Sequence, residues 1–292
     1  MIEIKNITHK IGQSTILDDI NLHIPIGGIT ALVGANGAGK STLLSLIARL
    51  QSIQSGQIFL DNYNISSTDS RIIAQNLAIL TQDNVIHSRI TVKDLLMFGR
   101  YPHHQGRIRP EDENIVEEAL QRFELFALKD RFLNELSGGQ RQRALIAMTF
   151  CQKTQHILLD EPLNNLDMFH AKVLMKLLRE LTDELNLTTV MVVHDINMAA
   201  AYADTIVAMK DGQIAMVGTP DEIITPANLK NIFNLDAEVV TLHGKRLVVH
   251  HIYSEFKTKQ ARIKRLNCIK KLTKPVAYSH IFYFLLVIFY FI

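Results

Sequence analysis

The sequence predicts an α/β fold built on a largely parallel sheet, and three observations carry that expectation. Short apolar runs rich in β-branched residues alternate with helix-like patterns along most of the chain. One run breaks into a glycine-rich loop that opens a helix. Others stop abruptly at a polar residue, as parallel strands do where their C-terminal ends line a ligand crevice.

The elements follow in order. Ile29-Thr30-Ala31-Leu32-Val33 breaks at Gly34 and gives way to Leu43, Leu44, Leu46, Ile47 and Leu50 at helical spacing, which reads as strand, loop and helix. The apolar runs at 77–80, 157–159 and 190–193 end at Gln82 (two positions on), Asp160 and His194. Between about 85 and 150 the pattern turns helical and more polar, clearest over 111–129, and predicts a helical insertion between two halves of the α/β part. Residues 206–209 and 213–217 flank Asp211-Gly212, whose tolerance of positive φ predicts a tight hairpin. There is no internal repeat.

Composition excludes several classes. A 292-residue chain with 47% hydrophobic and 21% charged residues is globular rather than disordered. Two cysteines, Cys151 and Cys268, make no disulfide framework. The opening Met1-Ile2-Glu3-Ile4-Lys5 lacks the basic-then-apolar shape of a signal peptide, so a reducing, cytosolic compartment is expected. The net charge of +2 points to neither nucleic acid nor membrane. It hides a break, however: residues 256–292 hold eight Lys/Arg and no acid, leaving 23 basic against 29 acidic groups before them.

The residues that carry chemistry are spaced for phosphate. Gly34-Ala35-Asn36-Gly37-Ala38-Gly39-Lys40-Ser41-Thr42 fits G-x-x-x-x-G-K-[ST] between a strand and a helix, where backbone N–H groups and the helix N-terminus converge on anionic oxygens. Lys40 would reach the β- and γ-phosphates, and Ser41 would hold Mg²⁺. Asp160, ending an apolar run, would hold Mg²⁺ through water, and Glu161 beside it would polarise an attacking water. Ser137-Gly138-Gly139-Gln140, opening a second helix, is a second anion-binding N-terminus. One chain needs one phosphate loop, so this second site suits a partner subunit better.

In this order the motifs resemble those of the nucleotide-binding subunits of ABC transporters, over about residues 2–253. The resemblance implies a P-loop ATPase with a mixed, largely parallel core sheet, an N-terminal antiparallel β part and a helical subdomain at about 85–150, all within residues 1–254. It implies that residues 34–42 are the Walker A loop and that Gln82 is the Q-loop residue, reaching toward Mg²⁺ and the permease. Leu136 with residues 137–140 is then the signature, Asp160 the Walker B aspartate, Glu161 the catalytic base, Asn165-Leu166-Asp167 the D-loop and His194 the switch histidine. ATP and Mg²⁺ are the implied cofactors. The implied partners are a second copy of the chain, integral-membrane permease subunits and, indirectly, a periplasmic or lipid-anchored binding protein, with no nucleic acid. The implied location is peripheral, on the cytoplasmic face of a bacterial inner membrane. Soluble repair and translation members fit poorly, because Lys40 and Ser137 are only 97 residues apart and there is one cassette.

Two departures matter. Ile11 stands before Gly12 where the family usually places an adenine-stacking aromatic, with His9 nearby as a substitute; Asn164-Asn165 precedes Leu166-Asp167 in place of the more usual Ser/Thr-Ala or Ser-His. Phe98-Gly99-Arg100-Tyr101-Pro102-His103 is similar to subunits that power ferric siderophore importers, with corrinoid and haem importers close by. His103-His104 alone makes a poor metal site. The tail at 255–292 resembles nothing in the family and is expected to lie outside the fold, which should end near Tyr253. Its twelve terminal apolar residues would cover about 18 Å as a helix, short of a ~30 Å hydrocarbon core. The tail is therefore read as an extension, with a surface anchor as the alternative.

Overall fold

The computed structural model describes residues 1–82, 89–164 and 166–249. Strands β1 (Ile2–Ile11), β2 (Ser14–Ile24) and β3 (Gly28–Gly34) precede helix α1 (Lys40–Ile47). Next come β4 (Ser55–Leu60), β5 (Tyr63–Asn64), α2 (Ser70–Asn76) and β6 (Leu77–Leu80). Four helices follow: α3 (Val92–Gly99), α4 (Tyr101–His104), α5 (Pro110–Arg122) and α6 (Gly138–Cys151). The chain then alternates through β7 (His156–Asp160), α7 (Met168–Glu184), β8 (Thr188–Val192), α8 (Ile196–Tyr202), β9 (Thr205–Lys210) and β10 (Gln213–Gly218). It closes with α9 (Pro220–Ile223), α10 (Pro226–Phe233) and the hairpin of β11 (Glu238–Leu242) and β12 (Lys245–Val249). The predicted tail, 255–292, lies outside the described residues.

The central sheet runs β10-β9-β3-β8-β7-β6, with every neighbouring pair parallel except β10 against β9. A second, antiparallel sheet runs β2-β1-β4-β5. This is the mixed core sheet with an N-terminal antiparallel part. Lys210 pairs with Gln213 across Asp211 and Gly212, both at positive φ, so the Asp-Gly turn is where the sequence places it.

The central strands read as unbroken apolar runs because both their faces are covered. Ile29, Ala31 and Val33 of β3, with Ile157 and Leu159 of β7, face a core shared with α3, α5, α6, α7 and α8. Leu32, Leu158, Val190 and Val192 face the other way, onto α1 (Leu43, Leu44, Leu46, Ile47) and the antiparallel sheet (Ile2, Ile4, Leu17). The strands pair in register, Leu80 with Leu159 and Asp160 with Val192, so their polar ends come to one edge.

β6 and β7 are neighbours in the sheet, so the helical segment between them is one excursion from it. The expected helix over 111–129 is shorter: α5 stops at Arg122. Glu124 turns left-handed (φ 54°), and Leu125 N–H reaches back to Leu120 O (2.7 Å) while Glu124 N–H meets Gln121 O (3.0 Å). That Schellman closure buries Leu125 and ends the helix against the core, although Phe126 and Leu128 continue the apolar period.

Candidate active site

The glycine loop follows β3 and wraps the N-terminus of α1. Two of its glycines are required by close approach. A Cβ on Gly34 would lie 2.3 Å from Met209 O, and one on Gly39 (φ 93°) 2.6 Å from Leu17 Cδ2. Ala38 is buried in the core beneath. Lys40 is buried and folds its ammonium back onto the loop, donating to Gly34 O and Ala35 O at 2.9 Å each. Burial pulls its pKa below the usual lysine value, against the opposing charges of Glu161 and Asp160. The loop thus keeps a desolvated cation parked on carbonyls that a phosphate can displace. Asn36, Gly37, Gly39, Lys40, Ser41 and Thr42 line one side of an open cleft of about 520 Å³.

The other side comes from the ends of β6, β7 and β8. Gln82, Glu161 and His194 line the cleft. Asp160, the last residue of β7, accepts from Ser41 Oγ at 3.0 Å, joining the two halves. Burial pushes the Asp160 carboxyl above the usual range, with the Ser41 bond acting the other way. Glu161 is left-handed (φ 50°), a backbone state that costs a non-glycine residue of order 1 kcal/mol and is kept by its surroundings. Its side chain is only 11% exposed and its carboxylate is bracketed: His194 Nε2 lies 2.5 Å from Oε1, and Gln82 Nε2 donates to Oε2 at 2.9 Å. Gln82 therefore stands on Glu161.

Asn164, noted in the sequence only as a departure, is the residue whose contact sequence reasoning missed: its amide Nδ2 also donates to Glu161 Oε2. Gln142, on α6, donates to Pro162 O at 3.0 Å and pins the same turn. The one available signal was the Asn three positions after the acid, a spacing that lets a side chain return to it.

Ser137 caps α6, accepting from Gln140 N–H (3.3 Å), while Gln140 Oε1 accepts from Ser137 N–H (3.0 Å). Ser137 and Gly138 are exposed, and residues 137–140 do not line the cleft of their own chain. In the D-loop place, Asp167 caps α7 through His170 N–H at 2.9 Å; Asn165 lies outside the described residues. Ile11 lines the cleft beside Ile16 and is half exposed. His9, the proposed substitute for the missing aromatic, is instead buried on the core side of β1 and is not among the residues lining this cleft, because Ile7 and His9 share the inward face of that strand. His103 and His104 are spent on Gln152 O and on Gly106 N–H.

Together the fold and the cleft define a P-loop domain that binds and splits a nucleoside triphosphate. The sequence model of the ABC transporter family matches residues 17–164. The petrobactin import ATP-binding protein YclP of Bacillus subtilis (strain 168) is 44% identical over 250 residues, 86% of this chain and 99% of its own length. The iron(3+)-hydroxamate import ATP-binding protein FhuC of the same organism is 40% identical over 232 residues, 79% of this chain and 86% of its own. Among solved structures, a dimeric ATP-binding cassette in a post-hydrolysis state, bound to ADP and Pi, matches with a TM-score of 0.68 at 29% identity, covering 75% of this chain and 99% of that one. The chain belongs to the ABC transporter family, as one of its ATP-hydrolysing subunits.

Proposed function

We propose that the chain energises import of ferric siderophores from the cytoplasmic face of a bacterial inner membrane, where it binds permease subunits and is fed indirectly by a periplasmic or lipid-anchored binding protein. The cargo class rests on relatives whose names specify petrobactin and iron(3+)-hydroxamate import. The hydrolytic role rests on one observation, the bracketed Glu161 carboxylate facing the phosphate loop across a single cleft.

Mg²⁺ suits the residues present. Ser41 and Asp160 offer a hydroxyl and a carboxylate 3.0 Å apart, hard oxygen donors, and the buried carboxyl is poised for a cation. They would hold the ion together with the amide oxygen of Gln82, and it would neutralise charge on the β- and γ-phosphates. Lys40 would exchange its two carbonyls for phosphate oxygens, and the N–H groups at the start of α1 would donate to the same anion. Glu161 accepts a proton from the attacking water, and His194, on its Oε1, holds the carboxylate edge and meets the γ-phosphate.

The N-terminus of α6, exposed at Ser137 and Gly138 and half-buried at Gly139, does not line the cleft of its own chain. It fits the ATP held by a second copy, and such an arrangement is two-fold and closes at a dimer. Phe98 (64% exposed) and Tyr101 (52%), stacked at 6.0 Å, form an aromatic platform on the helical segment suited to a permease contact.

The purified Glu161→Gln variant with ATP is expected to elute as a stable dimer and release almost no phosphate, and cells carrying it as their only copy should lose ferric siderophore uptake. Near wild-type phosphate release would overturn the assignment of Glu161.

A further inference from the structure

The turn after β7 ties Asn164 to Glu161 twice. Asn164 N–H donates to Glu161 O at 3.1 Å, closing the four-residue turn, and its side-chain Nδ2 reaches back to Glu161 Oε2. A carboxylate has no proton to give, so the nitrogen end of the amide must face it. Oε2 thus carries two amide donors, from Gln82 and Asn164, while Oε1 is left to His194. The two donors are not equivalent. Gln82 comes from the far side of the helical excursion and has a second task in the proposed function. Asn164 belongs to the same turn as the base, and that turn is held from outside by the bond from Gln142 Nε2 to Pro162 O.

We propose that Asn164 is a positioning residue for hydrolysis: its amide fixes the rotation of the Glu161 carboxylate, so that Oε1 faces the water once His194 exchanges that oxygen for the γ-phosphate, while Oε2 stays occupied. The inference rests on Glu161 being the base. When Gln82 turns to other ligands, the bond from Asn164 remains, and the carboxylate keeps one orientation instead of sampling several. Holding a base in reach of its proton is worth as much to the rate as its basicity. The bond is made inside the chain, so its loss should be felt in turnover and not in nucleotide affinity.

The test uses the full-length chain and steady-state ATP hydrolysis. Asn164→Ala should lower kcat about ten-fold, the worth of one hydrogen bond to a charged group, with KM for ATP within about two-fold. Asn164→Ser, which keeps a shorter donor, should recover part of that loss. Asn164→Asp decides between positioning and mere turn formation. Aspartate suits such a turn as well as asparagine does, but it sets a second carboxylate against Oε2 where a donor is needed. It should therefore be the slowest of the three. An aspartate variant near wild type, or an alanine variant that changes KM and spares kcat, would overturn the proposal. If Asn164→Ala melts too early to assay, the aspartate variant carries the decision. Glu161→Gln is measured alongside. If that variant hydrolyses ATP, the base assignment has failed; if it is inactive while the Asn164 variants behave as wild type, this inference alone has failed.

Discussion

Ile11 is 54% exposed on the wall of the cleft, beside Ile16, where the adenine of a bound nucleotide would lie. An aliphatic side chain there offers dispersion contact without a flat π surface. Base stacking on an aromatic side chain is worth about 1–3 kcal/mol in single-strand nucleic-acid binders, so Ile11→Tyr is expected to tighten ATP by about 1–2 kcal/mol in a nucleotide titration, with little change in Tm. An unchanged Kd would mean that the aliphatic wall already holds the base. Asp160 gives a second residue-scale expectation. Its folded pKa lies above the unfolded one, chiefly through burial, so the native state holds its proton more tightly than the unfolded chain does. Ionising it therefore costs stability, and that cost is present above the raised pKa and disappears below the unfolded one. Asp160→Asn, which keeps an oxygen for Ser41, should raise the Tm of the nucleotide-free protein near neutral pH, and the gain should vanish in acid. A gain that persists in acid would assign it to something other than this carboxyl.

Arg100 shows what holds the helical elements together. Its guanidinium and the Asp112 carboxylate are both nearly sealed from solvent at 2.9 Å, and its Nη1 also caps the end of α6 through Cys151 O at 2.8 Å. Burial alone would raise the Asp112 pKa, but the bonds from Arg100 and from Arg109 N–H hold it below the usual range, so this stabilisation is present at neutral pH and lost in acid. Arg100→Ala leaves the buried Asp112 carboxylate without its cation and Cys151 O without this donor, which should cost about 3–5 kcal/mol. Arg100→Met with Asp112→Leu should recover part of it in denaturant melts; additive losses in the pair would show that the two do not act as one unit. The central strands were legible in the sequence because both faces are covered, so 157–159 and 190–193 read as plain apolar runs. β1 was harder: Ile4 and Ile7 both point inward across an odd spacing, because Asn6 and Asp19, joined by the bond from Asn6 Nδ2 to Asp19 Oδ1, take positive φ where the register shifts. The end of α5 was hidden for a related reason, since nothing in Glu124 as a residue type announces a left-handed turn. In the site, phosphate chemistry dictates residue types at fixed spacing, which made residues 34–42 readable; Asp160 and Glu161 were read as an acidic strand end paired with that loop, and His194 through the family resemblance alone. The contact from Asn164 depends on how one turn closes, and its three-residue spacing from Glu161 permits that contact without dictating it.

At the scale of the whole molecule, the cleft residues named above all lie among the described residues. The last described element, β12, is anchored to α8 by the paired bonds of Asn197 with Val248, at 2.7 and 3.1 Å. Among the described residues no helix is long and apolar enough to cross a membrane. The 250 residues matched to YclP account for 99% of that protein, leaving about a seventh of this chain without a counterpart there. Residues 256–292 differ from the rest in composition, with eight Lys/Arg, no acid and twelve terminal apolar residues. Eight like charges repel one another, and twelve consecutive apolar residues promote association wherever nothing covers them. A chain truncated after Ser254 is therefore expected to hydrolyse ATP at the full-length rate, to melt at the same temperature and to stay soluble at higher concentration. If residues 255–292 instead anchor the subunit, only the full-length protein should sediment with anionic liposomes, and added salt should release it by screening the lysines. Truncation that abolishes hydrolysis would place part of the catalytic domain beyond Ser254 and sink the extension reading. Full-length protein that ignores the liposomes while the truncated form keeps its rate would leave the extension reading standing and remove the anchor.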